Sequence, residues 1–253
     1  VIDTKRRPLI DGISEEDRQA ATLLVTATVL LLLFEYWGRP GFYASSGVRH
    51  WVAEAGGGRF ADLADAAAYL WWGLSSLLWR VLVPLGVGVW LLRLRPSELG
   101  YRVEGIARHL PVYGVAYLVM LPVLIWVSGF QSFGTYYPFY DRAAEGGAGL
   151  WVYWVGYSIQ FVGVEAFFRG FMTFGLARRF GWLAVPIMTV PYTMIHFAKP
   201  MPEAVAAIVA GLGLGALALR SRSWVPGVFL HVAVALTMDV LVLARAGAMG
   251  GIL

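Results

Sequence analysis

Apolar residues run along this chain in long blocks, separated by short stretches of glycine, proline and arginine. Seven blocks stand out, at roughly 19–37, 67–92, 109–130, 149–176, 182–198, 203–219 and 224–244. Crossing a bilayer takes a helix of about 20 apolar residues, and most of the blocks reach that length. The links read "GRPG" at 38, "AGGGR" at 55, "RLRPSELG" at 93 and "EGGAG" at 145. The fifth block holds Pro186 and Pro191, each of which removes a helix hydrogen bond, so it is expected to be bent. The pattern predicts an all-α polytopic transmembrane helical bundle of about seven spans. Residues 1–18 form an N-terminal cytoplasmic segment and 19–253 a single integral membrane domain.

Composition agrees. Hydrophobic residues make up 58% of the 253 and charged residues only 14%, against roughly 25% charged in soluble domains. The net charge of +4 reflects basic residues gathered at block ends, which points to membrane orientation and away from nucleic acid. With the N-terminus inside, the inner segments hold Lys5, Arg6, Arg7, Arg18, Arg93, Arg95, Arg102, Arg108, Arg178, Arg179, Arg220 and Arg222. The outer ones hold Arg39, Arg49, Arg59, Arg142, Lys199 and Arg245. That split favours an N-in, C-out topology. The first 18 residues mix basic and acidic groups, unlike a signal peptide. There is no cysteine, which excludes a thiol nucleophile, disulfides and Cys-ligated zinc.

Charged side chains inside apolar spans are costly and mark function by default. Here they concentrate in the C-terminal half. "GVEAFFRGF" carries Glu165 and Arg169, an i, i+4 pair on one helix face. "YTMIHFAKP" carries His196 and Lys199, with Glu203 following. "FLHVAVALTMD" carries His231 and Asp239. A structural ion pair is one reading of Glu165 and Arg169. The other is a carboxylate held in place for chemistry, which the two histidines on neighbouring spans favour. Lys199 and Glu203 are expected at the interface, where they could also close a rim over the site. Arg80 is expected to snorkel or to mark a span break. The aromatic clusters "YLWWG" and "WVYWVGY" read as interfacial belts. Gly211 and Gly215 in "GLGLGALAL" form a GxxxG pattern that favours close helix packing. No phosphate loop, dinucleotide fingerprint, HExxH or GxSxG motif occurs.

Three segments, in this order, resemble the CPBP family, which takes in CAAX prenyl proteases, bacteriocin-processing or immunity proteins and Abi proteins. Its pattern is EExxxR, then FxxxH, then HxxxN or HxxxD. "VEAFFRG" is similar to the first, "YTMIH" to the second with Tyr192 in place of Phe, and "HVAVA" to the third at His231. The resemblance covers roughly 150–243 and implies an intramembrane endopeptidase of a bacterial inner membrane acting on a membrane-anchored protein or peptide. It implies Glu165, Arg169, His196 and His231 as catalytic residues. Glu165 and His196 would activate a water, and His231 would face the oxyanion. Asp239, Tyr192, Lys199 and Glu203 are supporting candidates. No cofactor is expected. A zinc-assisted variant would use Glu165, His196 and His231 as ligands. The chain departs from the pattern at Val164, where the first Glu stands in the family, and at Ala235, the Asn position. These departures open two alternatives: a binding or immunity protein that no longer hydrolyses peptides, or a transporter or proton pathway built on the same buried groups.

Overall fold

The computed structural model describes residues 13–55 and 63–251. Lys5, Arg6, Arg7 and residues 56–59 of the "AGGGR" linker therefore lie outside the described residues. Every regular element among those described is helical. In chain order they are α1 (Glu15–Leu33), α2 (Pro40–Ser45), α3 (Gly47–Ala55), α4 (Ala67–Leu77), α5 (Val83–Gly86), α6 (Leu110–Val127), α7 (Gln131–Gly134), α8 (Gly147–Glu165), α9 (Gly175–Phe180), α10 (Ala184–Met194), α11 (Met201–Ser221) and α12 (Val225–Arg245). Wider π turns join some of them without interruption: Leu78–Leu82 and Val87–Leu91 flank α5, and Ala166–Phe174 links α8 to α9. Local chemistry sets the start of α1, where the Ser14 hydroxyl accepts from the Asp17 amide at 3.1 Å and Asp17 accepts from the Ser14 amide at 3.3 Å.

Five runs are long and apolar enough to cross a membrane: Glu15–Gly38, Ala67–Leu91, Ile106–Val127, Met201–Ser221 and Val225–Arg245. The expected fourth and fifth spans do not meet that criterion. In the fourth, Gln160, Glu165 and Arg169 dilute the apolar run. The fifth, α10, has 11 residues, or about 16 Å of helix, against roughly 30 Å of hydrocarbon. The chain is an all-helical integral membrane protein. Large apolar side chains on α6 (Val115, Leu118, Val119, Trp126) and α11 (Val205, Val209) point outward, as a lipid-facing surface requires.

Two polar ends bracket the bundle. At one, Asp17 pairs with Arg179 at 2.5 Å, Glu98 with Arg178 at 2.7 Å, and the Ser223 hydroxyl donates to the Arg102 carbonyl at 2.6 Å. The Arg95 backbone N–H, together with the Arg178 guanidinium, holds the Glu98 carboxyl below the usual carboxylate range. At the other, Lys199, Glu203 and Tyr137 meet, and the Tyr69 hydroxyl donates to the Phe139 carbonyl. "YLWWG" and "WVYWVGY" meet near this second end, but inside the protein. Tyr69, Tyr153 and Tyr157 are buried against one another, Trp72 and Phe139, while Trp151 is the one strongly exposed ring of the two segments. They therefore act mainly as packing, because ring edges and faces from α4 and α8 interlock.

Small residues let the central helices touch backbone to backbone. A Cβ on Gly156 would overlap the Tyr69 backbone, and one on Gly73 would fall 2.7 Å from the Gly156 carbonyl oxygen. Between them the Ser76 hydroxyl donates to the Gln160 carbonyl at 2.9 Å. On α11, Gly211 and Gly215 admit Thr189 and Val185 of α10, the close packing that the GxxxG spacing suggested. Arg80 departs from expectation. The helix passes through it without a break, and its side chain is buried, with the guanidinium carbon 3.5 Å from the Phe34 ring centre. Gly156→Ala should destabilise the protein by about 1–3 kcal/mol through overpacking, read as a lowered unfolding midpoint in detergent. Gly213→Ala, where a Cβ meets nothing within 4 Å, should not lower it.

Candidate active site

The helix that begins at Gly147 reaches Glu165 with no solvent exposure and passes at once into the π segment Ala166–Phe174. Adjacent helical residues point about 100° apart, and the two sides of this turn face different neighbours. Glu165 faces α12, while Val164 lines a cavity. On α12 a glycine makes room for the acid: a Cβ on Gly227 would sit 2.5 Å from Glu165 Oε2. One turn further on, His231 Nδ1 lies 2.9 Å from Glu165 Oε1.

Arg169 completes the arrangement. Its Nη1 lies 3.3 Å from Glu165 Oε1, with both side chains fully buried. Its Nη2 donates to the Ala210 carbonyl on α11 at 3.3 Å, and its guanidinium carbon lies 4.0 Å from the Tyr192 ring centre on α10. One cation thus ties the π segment to α10 and α11 and, through Glu165, to α12. Glu165 Oε2, Arg169 Nε and Arg169 Nη1 have no hydrogen-bond partner, so the Coulombic attraction of the ion pair carries much of what offsets the burial of the two charges.

The second histidine comes from the end of α10. His196 Nδ1 lies 2.8 Å from the Tyr192 carbonyl. A carbonyl only accepts, so Nδ1 carries the proton and Nε2 is left for another partner. The same reasoning applies to His231, whose Nδ1 faces a carboxylate oxygen. Phe161 stacks on the His231 ring with centres 4.3 Å apart, and Tyr192 packs on His196 at 4.9 Å.

His196 and His231 both line a cavity of about 460 Å³ that runs between α6, α11 and α12. Tyr192, Lys199, Glu203 and Ala235 share its wall. A second cavity, of about 590 Å³, lies on the other side of the histidines and is bounded by Arg80, Gln160 and Val164. Glu165 and Arg169 line neither. They stand behind His231 and set its position.

The supporting candidates divide. Glu203 accepts from the Tyr137 hydroxyl at 2.7 and 2.8 Å and pairs with Lys199 at 2.6 Å, forming a half-buried polar cluster on the cavity wall. Asp239 lies elsewhere. Its Oδ2 accepts from the Tyr153 hydroxyl at 2.8 Å and the Trp154 indole N–H at 3.1 Å, which fastens α12 to the start of α8. Eight residues separate it from His231, about 12 Å along the helix. Among the described residues, no three His, Asp or Glu side chains are grouped to hold a metal. Glu165 and His231 hydrogen-bond each other. Gly227, Phe161, Gln160 and Tyr137 were not singled out in the sequence. The first two carried a usable signal: Gly227 is one turn before His231, and Phe161 one turn before Glu165.

Residues 146–237 match the family model described as type II CAAX prenyl endopeptidase Rce1-like, and all three motif segments fall inside the match. This C-terminal segment is therefore similar to the CPBP family over residues 146–237. No curated protein and no solved structure matches the chain. Within this matched segment, both departures from the family pattern sit on cavity walls, Val164 on the second and Ala235 on the first. The two apolar residues thus stand on walls that His196 and His231 also line.

Arg169→Leu strands a buried carboxylate and should destabilise the fold by about 3–5 kcal/mol. The double variant Glu165→Gln, Arg169→Leu should recover part of that loss. Urea or thermal unfolding in detergent checks both. An Arg169→Leu protein as stable as the native one would mean that the ion pair contributes nothing.

Proposed function

We propose that the chain is an intramembrane endopeptidase that hydrolyses a peptide bond of a membrane-associated protein or peptide. The observation that carries this reading is the 2.9 Å contact between Glu165 and His231, whose imidazole lines a cavity shared with His196. Glu165 accepts the Nδ1 proton, which leaves the Nε2 lone pair as the base. His231 takes a proton from a water, the hydroxide attacks the peptide carbonyl, and the imidazolium so formed is stabilised by the carboxylate behind it. The proton then passes to the leaving nitrogen. His196, fixed by the Tyr192 carbonyl, presents its own Nε2 and orients the water. Arg169 keeps Glu165 in place. In this scheme Glu165 works through His231, where the family resemblance suggested Glu165 with His196.

The family is a protease family, and the apolar outer surface supports a substrate that arrives within the bilayer. We place the end carrying Arg178, Arg179 and the 93–102 loop in the cytoplasm of a bacterial inner membrane. The basic residues there support this, since Arg93, Arg95 and Arg102 lie on the same side.

A second reading, a binding or immunity protein without turnover, is favoured by the apolar walls at Val164 and Ala235. Membrane-anchored reporter peptides in proteoliposomes separate the two. Glu165→Gln and His231→Ala should each lower the cleavage rate about 10²–10⁴-fold, and equal rates for Glu165→Gln and the native chain would sink the mechanism. Cleavage seen only after Val164→Glu with Ala235→Asn would select the second reading.

A further inference from the structure

Arg80 is a charged group that the catalytic scheme leaves unused. It lies within the apolar run Ala67–Leu91, on the π segment Leu78–Leu82, and is 6% exposed. Its Nε has no hydrogen-bond partner, and among the described residues its side chain contacts the Phe34 ring but no carboxylate. The other charges around the second cavity are matched. Arg39 holds Glu35 at 2.6 Å and Lys199 holds Glu203 at 2.6 Å. A guanidinium at membrane depth whose neighbouring acid, Glu35, is already paired with Arg39 is retained where something uses it, and its planar fork of donors suits an oxyanion.

The cavity that Arg80 lines is also lined by Gln160, His196 and His231. An anion bound at Arg80 therefore occupies the same hollow as the two imidazoles. Depth selects the source. Arg80 stands 11 residues from one end of its run and 13 from the other, about 16–20 Å of helix. A phospholipid headgroup stays at the interface, whereas a peptide drawn into the cavity carries a carboxylate to that depth.

We propose that Arg80 is the anion-binding element of the substrate site and receives a carboxylate of the peptide that lies against His196 and His231. The inference rests on the peptidase reading for the identity of the ligand. It adds a substrate requirement: a free C-terminal carboxylate or an acidic side chain near the scissile bond.

Binding tests it independently of turnover. The full chain in detergent is titrated with three fluorescent apolar peptides: one with a free C-terminal carboxylate, its amide, and the amide with one internal Asp. The native protein should bind at least one of the carboxylate peptides about tenfold or more tightly than the neutral amide, and which of the two it prefers identifies the carboxylate. Arg80→Gln should abolish the preference, while Arg80→Lys should keep part of it. Equal affinity of the native protein for all three peptides overturns the proposal, as does a preference that survives Arg80→Gln. So does anionic phospholipid that co-purifies with the native chain but not with Arg80→Gln, when no peptide preference is seen. Carboxylate-selective binding without cleavage of any bound peptide would retire the peptidase reading and leave the anion site standing. Cleavage without selectivity would do the reverse.

Discussion

A carboxylate with no exposure, deep in an apolar bundle, needs a partner that cannot lose its charge. Arg169 is that partner, and the rest of the site is arranged around the pair. The guanidinium also reaches the Ala210 carbonyl and the Tyr192 ring, so the groups that hold Glu165 are the groups that hold α10 and α11 against the π segment. His231 then has one place to put its Nδ1. The electrostatic demand of a buried acid is thereby converted into the orientation of an imidazole facing a cavity.

Packing makes this geometry attainable. Gly227 admits the carboxylate, while Phe161 and Tyr192 flank the His231 ring. Gly73 and Gly156 bring α4 against α8, which carries Glu165 at its far end. The two histidines stand between two cavities, one bounded by α6, α11 and α12 and the other by the end of α1, α4 and α8. In this chain the walls beside them include Val164 and Ala235. We read the result as a base that is built and oriented in less polar surroundings than the family pattern would give it, which bears on turnover rate more than on the position of the site.

Much of this was legible in the residue pattern. Apolar blocks located the helices, and the spacing of Glu165 and Arg169 put them on one face. The charged residues of the C-terminal half marked the region that matches the family model. What escaped depends on neighbours distant in sequence. Periodicity cannot say that Glu165 meets His231, 66 residues away. Nor can it say that Asp239, on the same helix as His231, is taken up by Tyr153 and Trp154. The aromatic clusters read as interfacial because composition carries no information about which rings face each other. Arg80 read as a snorkelling residue because its burial against Phe34 depends on how α1 and α4 pack. Five of the seven expected spans meet the length and composition test among the described residues, because α10 is short and the helix beginning at Gly147 is diluted by polar residues.

The central claim is that Glu165 fixes the proton of His231 on Nδ1 and leaves Nε2 open to the cavity. Nitrogen-15 NMR of histidine-labelled protein in lipid bilayers reads this directly, with the His231 signal assigned by its loss in His231→Gln. The account predicts a neutral His231 with a protonated Nδ1 and a bare Nε2, an assignment that Glu165→Gln alters. A His231 protonated on Nε2, or one whose signal ignores Glu165→Gln, would contradict it.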